Sequence, residues 1–542
     1  MIASFASWVT LLWGWRRRGV ATAAGLITVL GFPPFSFPLV LFVTFPVLVW
    51  LLDGALEGDG ETARVRRLRP AFAVGWFFGF GFFLGGLFWI GEAFLVDAAA
   101  HGWMMPFAVA AMAGGMAIFY GVACSIARLM WTEGAGRVAA LALAFGVVEL
   151  ARGFVLTGFP WNTLGYSLTA YTVTMQSAAL VGVYGLTVFA VLIFGAPATL
   201  ADAQPSKGFI ALNGALLLAI FGYGAWRLTI DIPASDDEPL RIRIVQANIA
   251  QDQKWLPENR ASIFSTYLDL SRGSTRETNS IGDVGDAPPP PDIILWPESA
   301  PPFLLDREPG ALQAIGDLLQ PGQHLITGAN RVEGAIVGDD YTLFNSLYLI
   351  SDFGEILDRY DKVRLVPFGE KVPFEDTLKR VGITRLVSIP GTFDAGRSPK
   401  LLADSRVPPF RALICYEIIF SGTLLSGLER PDWIVNVTND AWFGTSIGPP
   451  QHLHKARVRA VELGLPVIRA ANTGISAIIT ANGELSQSIE VNQRGVLDGS
   501  IPDILPETTY SKVGLIILIP IYIYTLLIWL VDVRRSSRRQ MR

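Results

Sequence analysis

Apolar residues are distributed unevenly along this chain. Over residues 1–227 they gather into long runs separated by short polar or proline-bearing breaks. Over 228–511 they fall into short β-branched runs among charged residues, and 513–531, VGLIILIPIYIYTLLIWLV, is a last uninterrupted run. A bilayer core of about 30 Å takes about 20 apolar residues as helix. The runs at 19–35, 38–53, 70–96, 104–128, 138–159, 171–196, 208–226 and 513–531 are of that order. The pattern therefore predicts about eight membrane spans, about seven of them before residue 228. FPPFSFP (32–38) divides the first two, because proline removes a donor and crowds the preceding turn. That pair reads as two spans or as a shallow hairpin.

The middle of the chain has a different rhythm. Strand-like runs recur as RIRIVQANI, DIILWPE, HLITGAN, NSLYLIS, ALICYE, WIVNVTN, PVIRAAN and ISAIITANG. Helical patterns such as ENRASIFSTYLDL and HLHKARVRAVELG lie between some of them. Strands mixed with amphipathic helices predict a layered α/β domain. The expected organisation is a membrane domain over 1–227, an α/β domain over 228–511, a final span over 512–533 and a basic tail over 534–542. The polar, Gly- and Pro-rich stretch 271–291 reads as a surface loop.

Charge adds an orientation. Arg16–Arg18, Arg64, Arg66, Arg67, Arg69, Arg137, Lys207 and the tail all fall on one side of an eight-span chain. The opposite short loops, VDAAAHG and FPWNTLGYSLTA, hold no Lys or Arg. By the positive-inside rule both termini are cytoplasmic and the α/β domain lies on the other face. Arg16–Arg18 and the run after them imitate a signal peptide, but the spans that follow at once favour a retained helix. Only 17% of residues are charged and the net charge is −4, which gives no basic footprint for nucleic acid. Two cysteines cannot build a disulfide framework.

Candidate chemistry sits at the ends of strand-like runs, where a rigid sheet holds a polar group in place. ILWPES ends in Glu298, DRYDKVRLVPFGEKVPF carries Lys362 and Glu370, and LICYE carries Cys415. A thiol attacks as thiolate and has an ordinary pKa of about 8.5. A carboxylate can take its proton, and an ammonium can stabilise the oxyanion that forms when it attacks a carbonyl. Glu, Lys and Cys together therefore suffice for acyl transfer through a thioester. Read alone, Cys415 is as well explained as a small buried hydrophobe, and Glu298 and Lys362 as a structural ion pair.

WPE, YDKVRLVPFGE and CYE, in this order, resemble the Glu-Lys-Cys set of the nitrilase superfamily. LVPFGE, ICYE, NVTNDAWFG and ELARGFVLTGFPWNTLGYS (149–167), within a multi-pass chain, resemble its membrane-embedded branch, the apolipoprotein N-acyltransferases. The resemblance implies an αββα sandwich on the periplasmic side of a bacterial inner membrane, in a monomer that needs no cofactor. It implies Glu298 as base, Lys362 as oxyanion stabiliser and Cys415 as nucleophile. Glu370, Tyr416 and Glu417 then support the triad, with the Tyr416 backbone N–H near the oxyanion. Trp255 belongs to a loop over the site, and Asn345 lines it. The implied donor is a membrane phospholipid, phosphatidylethanolamine, and the implied acceptor is a diacylglyceryl apolipoprotein.

Two other readings use the same residues. A membrane-tethered amidase would employ the triad with water as acceptor, although about eight spans exceed what a tether needs. A transporter or assembly protein would use the α/β domain only for binding, but the spans hold few ionisable residues. No metal is expected at His452 and His454, because positions i and i+2 do not share a helical face. Cys124, inside a span, reads as packing. Glu149 and Arg152, three apart within a span, either pair or meet a lipid headgroup. The run GWFFGFGFFLGGLFW (75–89) reads as lipid-facing, its glycines permitting close helix contact or an acyl groove.

Overall fold

A computed structural model describes residues 1–55, 64–230, 238–273, 290–334, 341–367, 369–371 and 393–540. Most of the expected 271–291 loop, residues 274–289, lies outside that set. The chain divides into two compact units: Met1–Gly91, Trp103–Ile230 and Thr508–Arg542 form one, and Glu92–Gly102 with Asp231–Glu507 form the other.

The first unit is helical. Among the described residues, five helices are long and apolar enough to cross a membrane: Leu68–Phe94, Ala98–Leu129, Ala178–Ala201, Lys207–Leu228 and Thr509–Arg535. The other expected spans fall on shorter or more polar helices, Gly14–Thr28, Leu41–Asp53 and Ala135–Arg152. A helix absent from the expectation, Ile2–Thr10, precedes the first arginines and leaves Phe5 and Trp8 exposed. The last helix, Leu518–Gln540, continues through most of the basic tail.

Glycine permits the closest helix contacts. A Cβ at Gly81 would stand 2.0 Å from the Thr22 carbonyl oxygen, so the aromatic-rich helix Arg64–Leu87 abuts Gly14–Thr28 backbone to backbone. Several charged groups inside this unit are paired. Arg137 is buried and gives both terminal nitrogens to Asp202, at 2.6 and 3.2 Å, with Asp53 at 3.4 Å from Nε. It is therefore a neutralised structural residue rather than a free positive charge. Glu149 and Arg152 pair with each other, both 1% exposed. Arg152 also donates to the carbonyls of Phe159 and Trp161, which ties down the FPWN segment.

Among its described residues the second unit holds two six-stranded sheets. The strands are β1 Arg241–Gln246, β2 Ile293–Trp296, β3 His324–Gly334, β4 Tyr341–Ile350, β5 Ile356–Asp361, β6 Leu401–Asp404, β7 Val407–Ile414, β8 Trp433–Thr438, β9 Val467–Ala471, β10 Ser476–Ile479, β11 Leu485–Ile489 and β12 Gly495–Ser500. Their orders are β12-β1-β2-β3-β4-β5 and β11-β10-β9-β8-β7-β6. Each sheet has a parallel centre, β1-β2-β3 and β7-β8-β9, with antiparallel partners outside it. The eight runs expected as strands are all present. The additional β5, β6, β11 and β12 are more polar and lie at or next to the sheet edges.

Alternation along the strands separates two cores. Ile242, Ile244, Ile293 and Leu295 face Phe410, Ala412, Ile414, Val435 and Val437 between the sheets. Val245, Ile294, Trp296 and Leu325 point the other way, onto Ile263 and Tyr267 of the helix Arg260–Arg272 and Ile315 of the helix Pro309–Leu318. Strands buried on both faces read as continuous apolar runs, as β2 (IILW) does.

Candidate active site

Strand ends deliver the candidate groups. Glu298 follows β2, Lys362 follows β5, Cys415 follows β7 and Asn439 follows β8. Gly328 in β3 makes room for Glu298: a Cβ there would meet the Glu298 Cα at 2.7 Å. The same close approach lets Ala300 N–H donate to the Gly328 carbonyl at 2.9 Å.

Glu298 is buried and held at both oxygens. Oε1 accepts from Asn345 Nδ2 at 2.7 Å and lies 3.7 Å from Lys362 Nζ; Oε2 accepts from the Asn439 N–H at 2.7 Å. Lys362 is anchored more tightly by Glu370, Nζ to Oε1 at 2.8 Å. Asn345 bridges the two carboxylates, with Glu370 Oε1 at 3.0 Å. Glu370 is fixed in turn by the Val366 N–H on Oε2, at 2.8 Å. Burial by itself lowers the Lys362 pKa, but Glu370, Glu298 and Cys415 outweigh it and hold the ammonium well above its ordinary range.

Cys415 stands at φ +48°, a left-handed conformation unusual for a residue with a Cβ. Such conformations persist where the surroundings fix them. Burial, followed by the charge of Glu298, pushes its thiol up, Asp440 adds to this, and Lys362 and the Thr438 hydroxyl oppose. The buried thiol form is thus favoured over the thiolate. Lys362 and Glu298 both act electrostatically on it.

Glu417 joins the Lys362 and Cys415 segments. Its Oε1 accepts from the Tyr360 hydroxyl at 2.7 Å, Val363 N–H at 2.9 Å and Arg364 N–H at 3.1 Å. Its Oε2 accepts from the Ile414 N–H at 2.9 Å. One buried carboxylate therefore registers the chain on both sides of the site. Tyr416 is buried with its ring edge-on to Phe420, centroids 5.1 Å apart. Trp255 is half-buried and follows the short helix Gln251–Lys254.

The structure adds residues that the sequence reading missed. Lys254 is buried, and its ammonium donates to the Glu298 carbonyl oxygen at 3.2 Å. Burial pulls its pKa down to about 8, against the Glu298 charge. Asn439 Nδ2 donates to Gln251 Oε1 at 2.7 Å, so the segment before Trp255 is tied to Glu298 by a second route. KW in QDQKWLPEN is the sequence signal for Lys254, but a lysine beside an exposed-looking tryptophan gives no hint of burial. His452, Asp440 and Arg469 also converge on Cys415. His452, weighed in the sequence only as half of an HxH pair, brings its Nε2 to 3.2 Å from the Cys415 carbonyl oxygen.

Comparison with known proteins covers both units. Residues 24–196 match the apolipoprotein N-acyltransferase N-terminal domain family, and residues 241–505 match the carbon-nitrogen hydrolase family. A protein of Allorhizobium ampelinum named apolipoprotein N-acyltransferase is 44% identical over 507 residues, 93% of this chain and 94% of that relative. One of Brucella suis with the same name is 45% identical over 504 residues, 93% of each. A third, of Agrobacterium fabrum, is 44% identical over 493 residues, 91% of each.

Proposed function

The chain belongs to the apolipoprotein N-acyltransferase family, and from that premise we propose that Glu298, Lys362 and Cys415 carry an acyl group from a membrane phospholipid to the N-terminal amine of a diacylglyceryl lipoprotein. The observation that carries this reading is one shared ammonium: Lys362 stands between Glu298 and Glu370 and acts on the Cys415 thiol.

In the first half-reaction Glu298 takes the Cys415 proton as the sulfur attacks the donor's ester carbonyl. Lys362 stabilises the oxyanion, where a single well-aimed donor contributes about 3–4 kcal/mol. The C–O bond then breaks, the leaving alkoxide takes the proton back from Glu298, and a lysophospholipid departs. A thioester on Cys415 remains. In the second half-reaction the lipoprotein α-amine attacks that carbonyl and gives a proton to Glu298. The C–S bond breaks, Glu298 returns the proton to sulfur, and the product is an amide. Glu370 and Asn345 hold the two charged groups apart throughout, and Glu417 holds the segments that carry Lys362 and Cys415. The Tyr416 backbone N–H assists at the oxyanion, and Trp255 covers the site.

Both substrates are lipids, which gives the apolar helices of the first unit a role in presenting acyl chains. We read phosphatidylethanolamine as the donor, a monomer as the working form, and a bacterial inner membrane as the setting. Both termini are then cytoplasmic and the 228–511 domain is periplasmic. The Lys and Arg bias of the short loops supports that orientation.

The test is a trapping experiment. Purified protein is incubated with phosphatidylethanolamine bearing a tagged sn-1 acyl chain and no acceptor. A hydroxylamine-labile tag on wild type, absent from Cys415→Ala and chased onto a diacylglyceryl peptide, supports the proposal. Hydrolysis of small amides without any adduct would replace it with the amidase reading.

A further inference from the structure

A second group of buried charges meets Cys415, and the chemistry above does not use it. Arg469 in β9 donates from Nη2 to Asp440 Oδ2 at 2.7 Å and lies 3.1 Å from His452 Nδ1. His452 Nδ1 is 2.9 Å from Asp440 Oδ1, which also accepts the Thr438 hydroxyl at 2.8 Å. All three charged or titratable side chains are wholly buried. The Cys415 sulfur, an Asp440 oxygen and a His452 nitrogen lie within 4.8 Å of one another. Such spacing could suit a metal, but Arg469 already places a cation on Asp440, so the group is charge-balanced by the protein's own residues.

We infer that His452 is a positioning residue for the nucleophile, its Nε2–H donating to the Cys415 carbonyl and holding residue 415 in the left-handed conformation. The inference rests on Cys415 being the nucleophile. A carbonyl oxygen only accepts, so the 3.2 Å contact is a hydrogen bond only when Nε2 carries the hydrogen. Nδ1 is then an acceptor that faces a donor, Arg469 Nη2, at 3.1 Å and an acceptor, Asp440 Oδ1, at 2.9 Å, so this tautomer requires Arg469 to outweigh the carboxylate oxygen. Burial, then the Arg469 charge, pushes the His452 pKa down to about 4, so at neutral pH the ring has one N–H to place. Arg469 touches both Nδ1 and Asp440 and offsets their close approach. The strained φ of Cys415 thereby has an identifiable clamp, anchored on β8, β9 and the helix Gly448–Leu463.

The test compares two amides at position 452 in the full-length protein in detergent. Glutamine can place its amide N–H where Nε2 stands; asparagine reaches only the Nδ1 position. The readout is the single-turnover rate of acyl-enzyme formation from tagged phosphatidylethanolamine, beside the rate of Cys415 alkylation by iodoacetamide. His452→Asn should be slower by about tenfold, the scale of one lost hydrogen bond. His452→Gln should recover most of that rate. Equal rates in the two variants, or an undiminished His452→Asn, overturn the inference while leaving the nucleophile reading intact. Labelling of Cys415→Ala would instead overturn the nucleophile reading, and the inference with it. Should neither variant fold, the wild-type tautomer decides. With four histidines in the chain, ring 15N NMR can follow the one whose shifts move in Cys415→Ala. A neutral Nε2–H ring at pH 7 agrees; an Nδ1–H ring or an imidazolium does not.

Discussion

Lys362 is held 2.8 Å from Glu370 but 3.7 Å from Glu298. In the proposed mechanism the unequal spacing divides labour between the two carboxylates: Glu370 neutralises the buried ammonium, and Glu298 keeps lone pairs for a proton. Without Glu370 the ammonium has only Glu298 as a close anionic partner, and an ion-paired base is a weaker base. Glu298→Gln should therefore slow acyl-enzyme formation by at least about 100-fold, as loss of a general base does. Glu370→Gln should slow it by about tenfold, the neutral amide keeping the bonds to Asn345 or Lys362 but not the charge. Single-turnover thioester formation measures both, and a larger loss in Glu370→Gln than in Glu298→Gln would reverse the assignment.

Lys254 supports the backbone of Glu298 at the cost of a buried charge. Its folded pKa, about 8, lies below the ordinary lysine value of 10.5. Between those values the unfolded chain binds more protons, so this group's contribution to stability rises as pH rises from 8 to 10.5. Lys254→Met should remove that rise, about 3 kcal/mol by linkage. Melting temperatures of the two proteins at pH 7.5 and 10 measure it. The same variant should also lower acyl-enzyme formation, because the Glu298 carbonyl loses its donor.

Glu417 accepts four hydrogen bonds with two oxygens. Glu417→Gln keeps the size and turns one acceptor into a donor that faces N–H groups. A buried unsatisfied donor costs about 1–3 kcal/mol. The variant should melt lower and lose Cys415 acylation while its thiol still titrates with a denaturing thiol assay. Unaltered acylation would show that the registration of the two segments is not needed.

His452 and Asp440 set an acid limit. His452 titrates at about 4 in the folded protein against an ordinary 6.5, so its contribution is complete above 6.5 and falls as pH drops toward 4. Asp440, held down to about 2 against burial by Arg469 and His452, contributes above 3.8 and loses this as pH falls through about 2. Stability measured by denaturation should therefore decline already between pH 6.5 and 4, and His452→Gln should flatten that part of the curve.

Glu149 and Arg152 should behave as a unit. Breaking a buried pair from one side costs about 3–5 kcal/mol, whereas replacing both with apolar residues costs much less. Glu149→Leu should lower thermal stability in detergent more than the Glu149→Leu, Arg152→Met double variant. The double variant still loses the donors to Phe159 and Trp161, so lipid turnover can fall even where stability is regained.

The sequence by itself determined the elements whose signal is local. Long apolar runs marked helices such as 105–129 and 178–195, and buried parallel strands such as β2 and β8 stood out as short, largely apolar runs. Glu298 and Cys415 were legible because each is the polar residue that follows such a run, and Lys362 through the YDKVRLVPFGE segment that resembles the family's. What the tertiary structure alone decided depends on who meets whom. Arg137 looked like a loop charge until Asp202 and Asp53 closed on it. Lys254 is 44 positions from Glu298, and His452 is 37 from Cys415. No periodicity records that a lysine beside a tryptophan turns inward, or that one imidazole of an HxH pair finds a carbonyl at the end of β7. Burial and hydrogen bonding act through space, and they give those residues their charge state and their work only once the two sheets have brought the strand ends together.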